Sequence, residues 1–215
     1  MLNERTFATI LIKVIKVIRI KGAFFFPTLV CKLTLYLNGC PYGSGLRACG
    51  KVYLRANKKN SIKLGQNVTL MARYLTNSVG IPAPIMIECI GGGRVQIGNY
   101  SGLSSTVISS RASVDIGNNV QVGANVRIYD HDFHSLNYVR RRKGGGDQLN
   151  IKSSPVVIGD DVFIGTNAII LKGVSIGARS IVAAGSVVSL KLIPADSLVA
   201  GNPARIIRSN INVDI

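Results

Sequence analysis

Histidines, acidic residues and tryptophans are scarce in this sequence. Its 215 residues include two histidines, ten aspartates and glutamates, and no tryptophan. The four cysteines show no C-x-x-C spacing and neither histidine lies near a cysteine, so we predict no metal site. We expect free thiols in a reducing cytoplasm. Disorder is excluded as well, because 47% of the residues are hydrophobic and only 17% are charged.

The scarcity of acidic residues leaves a net charge of +16, which predicts an anionic partner. A nucleic acid, a membrane surface or a phosphate-bearing small molecule would fit this charge. No nucleic-acid-binding motif is present and few aromatic residues alternate with the basic ones, so we predict no nucleic-acid partner. A non-catalytic cationic scaffold or binding protein remains open as an alternative function.

An apolar residue returns at every sixth position of residues 158–189. This period matches neither a helix nor a long strand. It predicts a chain that forms a short strand, turns and starts again, three such units making one coil of a triangular prism. The residues in this register are Ile158, Ile164, Ile170, Ile176, Val182 and Val188. Less regular copies of the same six-residue pattern occupy residues 62–68, 97–103 and 116–126. The repeats together predict an all-β protein with a parallel β-helix over residues 51–208.

Residues 1–50 do not follow this repeat. Residues 1–21 predict an amphipathic helix that ends at Gly22, and a second apolar segment follows over residues 28–37. Neither supplies the uninterrupted apolar run of a spanning helix, and Lys13 and Lys16 interrupt what would be a signal-peptide core. Two interpretations stay open: an anchor that lies in a membrane interface, and a cap over the end of the coil.

The repeat breaks over residues 129–155, where both histidines lie. A large loop within a regular solenoid is the expected place for a binding surface. Residues 140–143 are four consecutive cations followed by three glycines. They fit either a solvated loop or a cationic lid that meets phosphate groups. Residues 209–215 form a short tail.

The break begins with Tyr129-Asp130-His131-Asp132-Phe133-His134-Ser135. Transfer of an acyl group from a thioester to a hydroxyl needs a base of near-neutral pKa, which histidine provides. A nearby carboxylate could fix the tautomer of such a base. Two histidines beside two aspartates also occur by chance in surface loops, so the residues alone leave both interpretations open.

Together, the repeat and this segment resemble the hexapeptide-repeat acyltransferases, whose fold is a left-handed parallel β-helix. The aspartate-x-aspartate-aromatic-histidine pattern is similar to that of the maltose/galactoside acetyltransferase branch, which includes many capsule and lipopolysaccharide O-acetyltransferases. The resemblance implies that His134 is the catalytic base. It implies that Asp132 and Asp130 orient the base or bind the acceptor, and that Ser104 contacts the acceptor. Ser135 stands where proline is common in that branch.

The resemblance also implies acetyl-coenzyme A (acetyl-CoA) as co-substrate, bound in a groove between two prisms of a homotrimer. Thr166, Ala184 and Ser189 match its small contact residues, and Arg205 and Arg208 match basic residues near its nucleotide end. In that family threonine-lysine-aspartate usually precedes a proline that closes the coil. This chain has Ser189-Leu190-Lys191 there, with one extra residue before Pro194. Lys191 therefore takes that lysine's place only after a local shift.

The implied function is O-acetylation of a sugar hydroxyl in the biosynthesis of a surface polysaccharide, capsular or O-antigen. We expect a cytoplasmic enzyme, with peripheral contact to the inner face of the cytoplasmic membrane if its glycan acceptor is lipid-linked. An antibiotic (xenobiotic) acetyltransferase is the alternative within the enzymes. A metal-dependent relative such as γ-class carbonic anhydrase would need three histidine ligands, and this chain has two histidines.

Overall fold

The computed structural model describes residues 4–73, 79–80, 83–142 and 146–211, except the side chains of residues 4–8, 11 and 14–21. The chain forms a long helix, α1 (Glu4–Leu37), followed by a stack of short strands in three sheets. Helix α2 (Tyr138–Arg142) and a 3-10 helix (Gln148–Asn150) lie in an excursion from this stack. Lys143 and Gly144, which belong to the cationic stretch and to the glycines that follow it, fall outside the described residues.

From β1 (Arg47–Gly50) to β16 (Ile181–Val182), each strand of the stack pairs with the strand three places later in the chain, which is the pairing of a three-sided parallel β-helix. The first sheet contains β1 (Arg47–Gly50), β4 (Thr69–Ala72), β7 (Gly102–Ser104), β10 (Gln121–Val122), β13 (Phe163–Ile164), β16 (Ile181–Val182), β19 (Leu198–Gly201) and β20 (Ala204–Arg208). The second contains β2 (Val52–Arg55), β5 (Ile85–Cys89), β8 (Val107–Ser110), β11 (Arg127–Tyr129), β14 (Ile169–Ile170) and β17 (Val187–Val188). The third contains β3 (Ile62–Leu64), β6 (Arg94–Ile97), β9 (Ser113–Ile116), β12 (Val156–Ile158), β15 (Ser175–Ile176) and β18 (Leu192–Ile193).

The core consists of aliphatic ladders, one on the inner face of each sheet. In the second sheet Ile87, Ile108, Ile128, Ile170 and Val188 pair in register, and all five side chains are fully buried. Each such side chain contributes roughly 1.5–3 kcal/mol relative to an exposed one. The six-residue period of the sequence is thus the period at which side chains enter this core.

Helix α1 continues through Gly22 and Pro27, so the predicted helix end at Gly22 is wrong. The helix buries Ala23 before the proline, and Cys31 and Leu35 after it. Its packing is mainly against β1, at the first coil. Burial on both sides of Pro27 favours one continuous helix despite the N–H that proline lacks.

The C-terminal half of α1 covers the open end of the β-helix, as the cap interpretation predicts. Thr28 Oγ1 donates to the carbonyl of Ala48 at 3.1 Å and accepts from its amide at 2.9 Å. The Arg47 guanidinium lies 4.4 Å from the centre of the Phe24 ring. None of the helices in the described part of the chain has the length and apolar character needed to cross a membrane.

The coil begins earlier than predicted, and its last turn departs from the regular six-residue period. It already begins at Arg47, before the predicted boundary at residue 51, and it continues after Val188 through β18, β19 and the antiparallel β20. In the last coil Ile176 pairs with Ile193 and Val182 with Val199. These pairs are 17 residues apart rather than 18, which hides the last coil from a search for the regular period.

The excursion spans the residues between β11 and β12, as predicted for residues 129–155. Its two ends run antiparallel: the Asp132 amide donates to the Lys152 carbonyl at 2.9 Å, and the Ser154 amide donates to the Asp130 carbonyl at 2.8 Å. This paired neck fixes where the loop leaves the prism. The loop tip, with His134, follows directly from the neck.

Candidate active site

His134 forms a close pair with Asp147. Its Nδ1 lies 2.6 Å from Asp147 Oδ2, and its side chain is 69% exposed. The other carboxylate oxygen of Asp147 accepts a hydrogen bond from the Ser135 amide at 2.6 Å. The bond with His134, and then that amide, hold the pKa of Asp147 below its usual value. A carboxylate on Nδ1 favours the tautomer that leaves Nε2 unprotonated and available as a base.

Asp147 is positioned by contacts across the excursion. Arg141 Nη1 donates to the carbonyl of Ser135 at 2.6 Å, next to His134. Asn150 Nδ2 donates to the carbonyl of Gly146 at 2.8 Å. Arg111, on the coil below, donates to the carbonyl of Gln148 at 2.9 Å. The loop that carries the pair is therefore tied both to itself and to the prism.

Asp130 is fully buried, and its bonds are to its own chain. It accepts from Ser110 Oγ at 2.7 Å, from the Arg111 amide at 2.7 Å and from the Ala112 amide at 2.8 Å. His131 Nδ1 lies 3.2 Å from the same carboxylate. Burial alone would raise the pKa of Asp130, but these hydrogen bonds together lower it. This environment fits a carboxylate that fixes a corner of the coil rather than one that meets an acceptor.

Asp132 does not contact His134 through any of the hydrogen bonds in the described residues. Its Oδ1 accepts from Lys172 Nζ at 2.5 Å, while its Oδ2 is buried without a hydrogen-bond partner. Asp147, rather than Asp132, contacts the ring of His134 in this structure. The sequence prediction missed both Asp147 and Lys172. Lys172 could have been found, because it follows Ile170, which pairs with Ile128 just before the break.

His131 is 5% exposed and packs against Phe133 with a centroid distance of 4.8 Å. Its environment is that of a structural residue at the neck. No three His, Cys, Asp or Glu side chains of the described residues are grouped in a way that could hold a metal ion.

The predicted co-substrate residues lie along two different edges of the prism. Thr166 and Ala184 follow Ile164 and Val182, which pair in register, and the Gly185 amide donates to the Thr166 carbonyl at 2.8 Å. Ser104 follows Leu103 on the same edge. Ser189 follows Val188, on the edge from which the excursion leaves.

Arg205 and Arg208 lie exposed on β20, which pairs antiparallel with β19. Ser104 lines a groove of about 280 Å³ together with Met71, Tyr100 and Gln121. One chain thus places Thr166 and Ala184 on one edge and the His134–Asp147 pair at another.

Comparison with known proteins identifies the repeat. The family model described as the hexapeptide repeat of succinyl-transferase matches residues 102–130 and 155–189, and its gap coincides with the excursion. The Saccharomyces cerevisiae protein YJL218W, whose name places it among the acetyltransferases, is 40% identical over 121 residues. That match covers 56% of this chain and 58% of the yeast protein, so this chain spans little more than half of the relative's length.

Two solved structures share the fold over most of the chain. A hexapeptide-repeat-containing acetyltransferase from Vibrio cholerae is 30% identical, with a TM-score of 0.53, and the match covers 83% of this chain and 78% of that one. A galactoside acetyltransferase in complex with coenzyme A is 26% identical, with a TM-score of 0.52, and the match covers 81% and 66%. The fold is therefore the left-handed parallel β-helix that the resemblance implied, and this chain belongs to the hexapeptide-repeat acetyltransferase family.

Proposed function

We propose that this protein is an acetyl-CoA-dependent O-acetyltransferase that acts on a sugar hydroxyl, with His134 as the general base. The observation that carries the proposal is the His134–Asp147 pair. It leaves an exposed imidazole nitrogen at the break in the coil. The galactoside acetyltransferase with which this chain shares its fold is named for a sugar substrate and was solved with coenzyme A.

The proposed chemistry is direct transfer. His134 Nε2 takes the proton of the sugar hydroxyl as the hydroxyl oxygen attacks the thioester carbonyl. The carbon–sulfur bond then breaks, and the imidazolium returns the proton to the departing thiolate. Asp147 stabilises the imidazolium, and backbone N–H groups stabilise the oxyanion. A cysteine nucleophile is not needed: all four cysteines are buried, and burial raises the pKa of Cys31 and of Cys89 to about 11.

We propose a homotrimer in which acetyl-CoA binds between neighbouring copies. Two prism edges carry the expected site residues, so one copy would supply His134 and its neighbour Thr166 and Ala184. Outward-facing apolar columns support contact between copies. One column, on the second sheet, contains Val107, Ile169 and Val187, with Arg127 between Val107 and Ile169. The other column, on the first sheet, contains Phe163, Ile181 and Leu198. Arg205 and Arg208 would meet the phosphates of the co-substrate.

The proposed acceptor is a sugar of a surface polysaccharide, capsular or O-antigen, carried on a lipid at the cytoplasmic face of the membrane. Arg140 and Arg142 support an anionic acceptor, because both are exposed on α2 next to Arg141, which contacts the residue after His134. Such arginines suit the diphosphate of a linked sugar.

The test combines acetyl-CoA binding with turnover. The wild type, His134→Ala, Asp147→Ala and the matched loop control Leu149→Ala would be melted with and without acetyl-CoA. At about 100 times the dissociation constant the ligand should stabilise every variant by about 2.7 kcal/mol. Release of the coenzyme A thiol with a panel of sugars and glycolipids should fall roughly 100-fold or more in His134→Ala and Asp147→Ala, and stay unchanged in Leu149→Ala.

Other outcomes would point elsewhere. Turnover only with antibiotic acceptors would move the protein to the xenobiotic acetyltransferases. If no variant gains stability at saturating acetyl-CoA, the transferase proposal loses its main support and the cationic scaffold takes its place.

A further inference from the structure

Helix α1 has an apolar face that nothing in the described residues covers. Its members, Phe25, Phe26, Leu29, Val30, Leu33 and Tyr36, are between 53% and 74% exposed. Steps of three and four residues place them on one side of the helix. Cys31 and Leu35, which pack on the coil, lie on the opposite side. The helix therefore contacts the prism with one face and presents a second apolar face to its surroundings.

The surroundings of this face are strongly cationic. Residues 1–87 contain thirteen lysines and arginines but only one acidic residue, Glu4, so they carry a net +12 of the chain's +16. Lys51 lines a groove of about 380 Å³ against Phe26 and Val30, and Lys13 is exposed on α1 itself. The remaining nine acidic residues lie from Glu88 onwards, away from the capping helix in the sequence.

We propose that this face of α1 docks onto an anionic phospholipid surface, with the helix lying in the plane of the interface. An exposed apolar stripe flanked by cations is the arrangement that binds bilayer interfaces. A second copy of the chain is a poorer occupant, because every copy carries the same excess of cations at this end and like charges repel. The aromatic side chains of Phe25, Phe26 and Tyr36 suit the boundary between headgroups and acyl chains.

The cap gives this contact a defined orientation. Thr28, Cys31 and Leu35 fix α1 to the first coil, so a docked helix holds the prism by one end. The excursion with His134 leaves the coil several turns later, after β11. Docking through α1 is independent of acetyl transfer, and its test uses no activity measurement.

The experiment is flotation of the full chain with vesicles. We expect binding to phosphatidylcholine vesicles with about 30% phosphatidylglycerol, little binding to phosphatidylcholine alone, and release at high salt. The double variant Leu29→Gln, Leu33→Gln should lower the partition coefficient roughly tenfold or more, because it removes apolar area from the face. The matched control Leu136→Gln, Leu149→Gln changes two exposed leucines of the excursion and should bind as the wild type does.

A second measurement avoids polar substitutions in α1. The chain has no tryptophan, so Leu33→Trp introduces a single reporter. Its emission should shift to shorter wavelength and be quenched by brominated lipids in anionic vesicles, while Leu149→Trp should show neither change. Absence of both effects, or equal loss of binding in the control double variant, would overturn the proposal. So would a fall in oligomer mass in Leu29→Gln, Leu33→Gln with vesicle binding intact, which would assign the face to a second copy.

Discussion

His131 and His134 stand three residues apart and have opposite environments. His131 is buried beside Asp130, whereas His134 is largely exposed and bonded to Asp147. Both have a carboxylate on Nδ1, so that bond alone does not distinguish a base from a structural residue. The two residues differ in the exposure of the rest of the ring. The side chain of His131 is buried, whereas that of His134 is exposed and leaves its other ring nitrogen accessible. A general base must reach the proton it removes, which favours His134 on geometry.

Asp130 should be important for stability rather than for turnover. We expect Asp130→Asn to lower the free energy of unfolding by about 2 kcal/mol at pH 7, because an amide cannot accept all the bonds that the carboxylate receives from Ser110, Arg111 and Ala112. Urea unfolding of purified protein would measure this. Asp115→Asn, which breaks an exposed pair with Arg94, is the matched control and should cost less than about 1 kcal/mol.

The stability difference between wild type and Asp130→Asn should depend on pH. The folded pKa of Asp130 lies below the ordinary value of 3.8, so its carboxylate contributes stability above that pH. The contribution is lost as the pH falls through the folded pKa. The difference between wild type and Asp130→Asn should therefore be constant near neutrality and shrink below about pH 3.8. An unchanged difference in acid would mean that the lost stability does not come from the carboxylate's charge.

The partners of the site residues were harder to predict from sequence than the residues themselves. His134 was identified through the motif that contains it. Asp147 follows 13 residues later, after an irregular loop, and no spacing rule brings the two together. Asp132 and Lys172 are 40 residues apart and meet because the excursion and the next coil share an edge. Contacts of this kind depend on the path of a loop, which periodicity does not describe.

At the level of elements, regular repetition was the part of the fold that the sequence predicted well. Each inward position from Ile158 to Val188 is buried in register. The prediction failed where packing outweighed a local signal. Gly22 and Pro27 indicate helix ends, yet burial of Ala23, Cys31 and Leu35 on the first coil favours an unbroken α1. The regular period ends at Val188 because the paired strands of the last coil are 17 residues apart rather than 18.

The corners of the coil should be sensitive to a single added methyl group. A Cβ at Gly93 would collide with the backbone carbonyl of Ser110 on the next coil, whereas a Cβ at the neighbouring Gly92 would meet nothing within 4 Å. Gly93→Ala should therefore lower the free energy of unfolding by about 1–3 kcal/mol, and Gly92→Ala should leave it nearly unchanged. Urea unfolding of the two variants measures the difference. Equal stability would mean that the coils can separate slightly at low cost.

At the scale of the whole molecule, charge and chemistry are divided between different parts of the prism. The end capped by α1 carries most of the net charge, while the His134 loop and the Thr166–Ala184 edge lie on separate edges further along the coil. In the proposed trimer, each junction between two copies would bring the His134 loop of one copy to the Thr166–Ala184 edge of its neighbour. Closed cyclic assembly repeats that junction identically in every copy.

A shared site predicts that two inactive variants can restore activity to each other. His134→Ala removes the base but keeps the co-substrate edge, whereas Ala184→Trp fills that edge and keeps the base. Ala184 is exposed, so its own chain should accommodate the larger side chain. In randomly mixed trimers, a junction is intact when the copy that contributes the His134 loop is the Ala184→Trp variant. The copy that contributes the Thr166–Ala184 edge must then be the His134→Ala variant. This happens at about one junction in four, so co-expressed variants should recover about a quarter of wild-type activity.

The control for this experiment mixes two variants that share a defect. In trimers of His134→Ala with Asp147→Ala every loop is impaired, so no junction is intact and no recovery is expected. Different affinity tags on the two copies allow mixed trimers to be purified and their activity counted per trimer. If the first mixture stays as inactive as the second, the proposal of a site shared between copies is wrong. Recovery confined to the first mixture requires that His134 and Ala184 of different copies contribute to one active site.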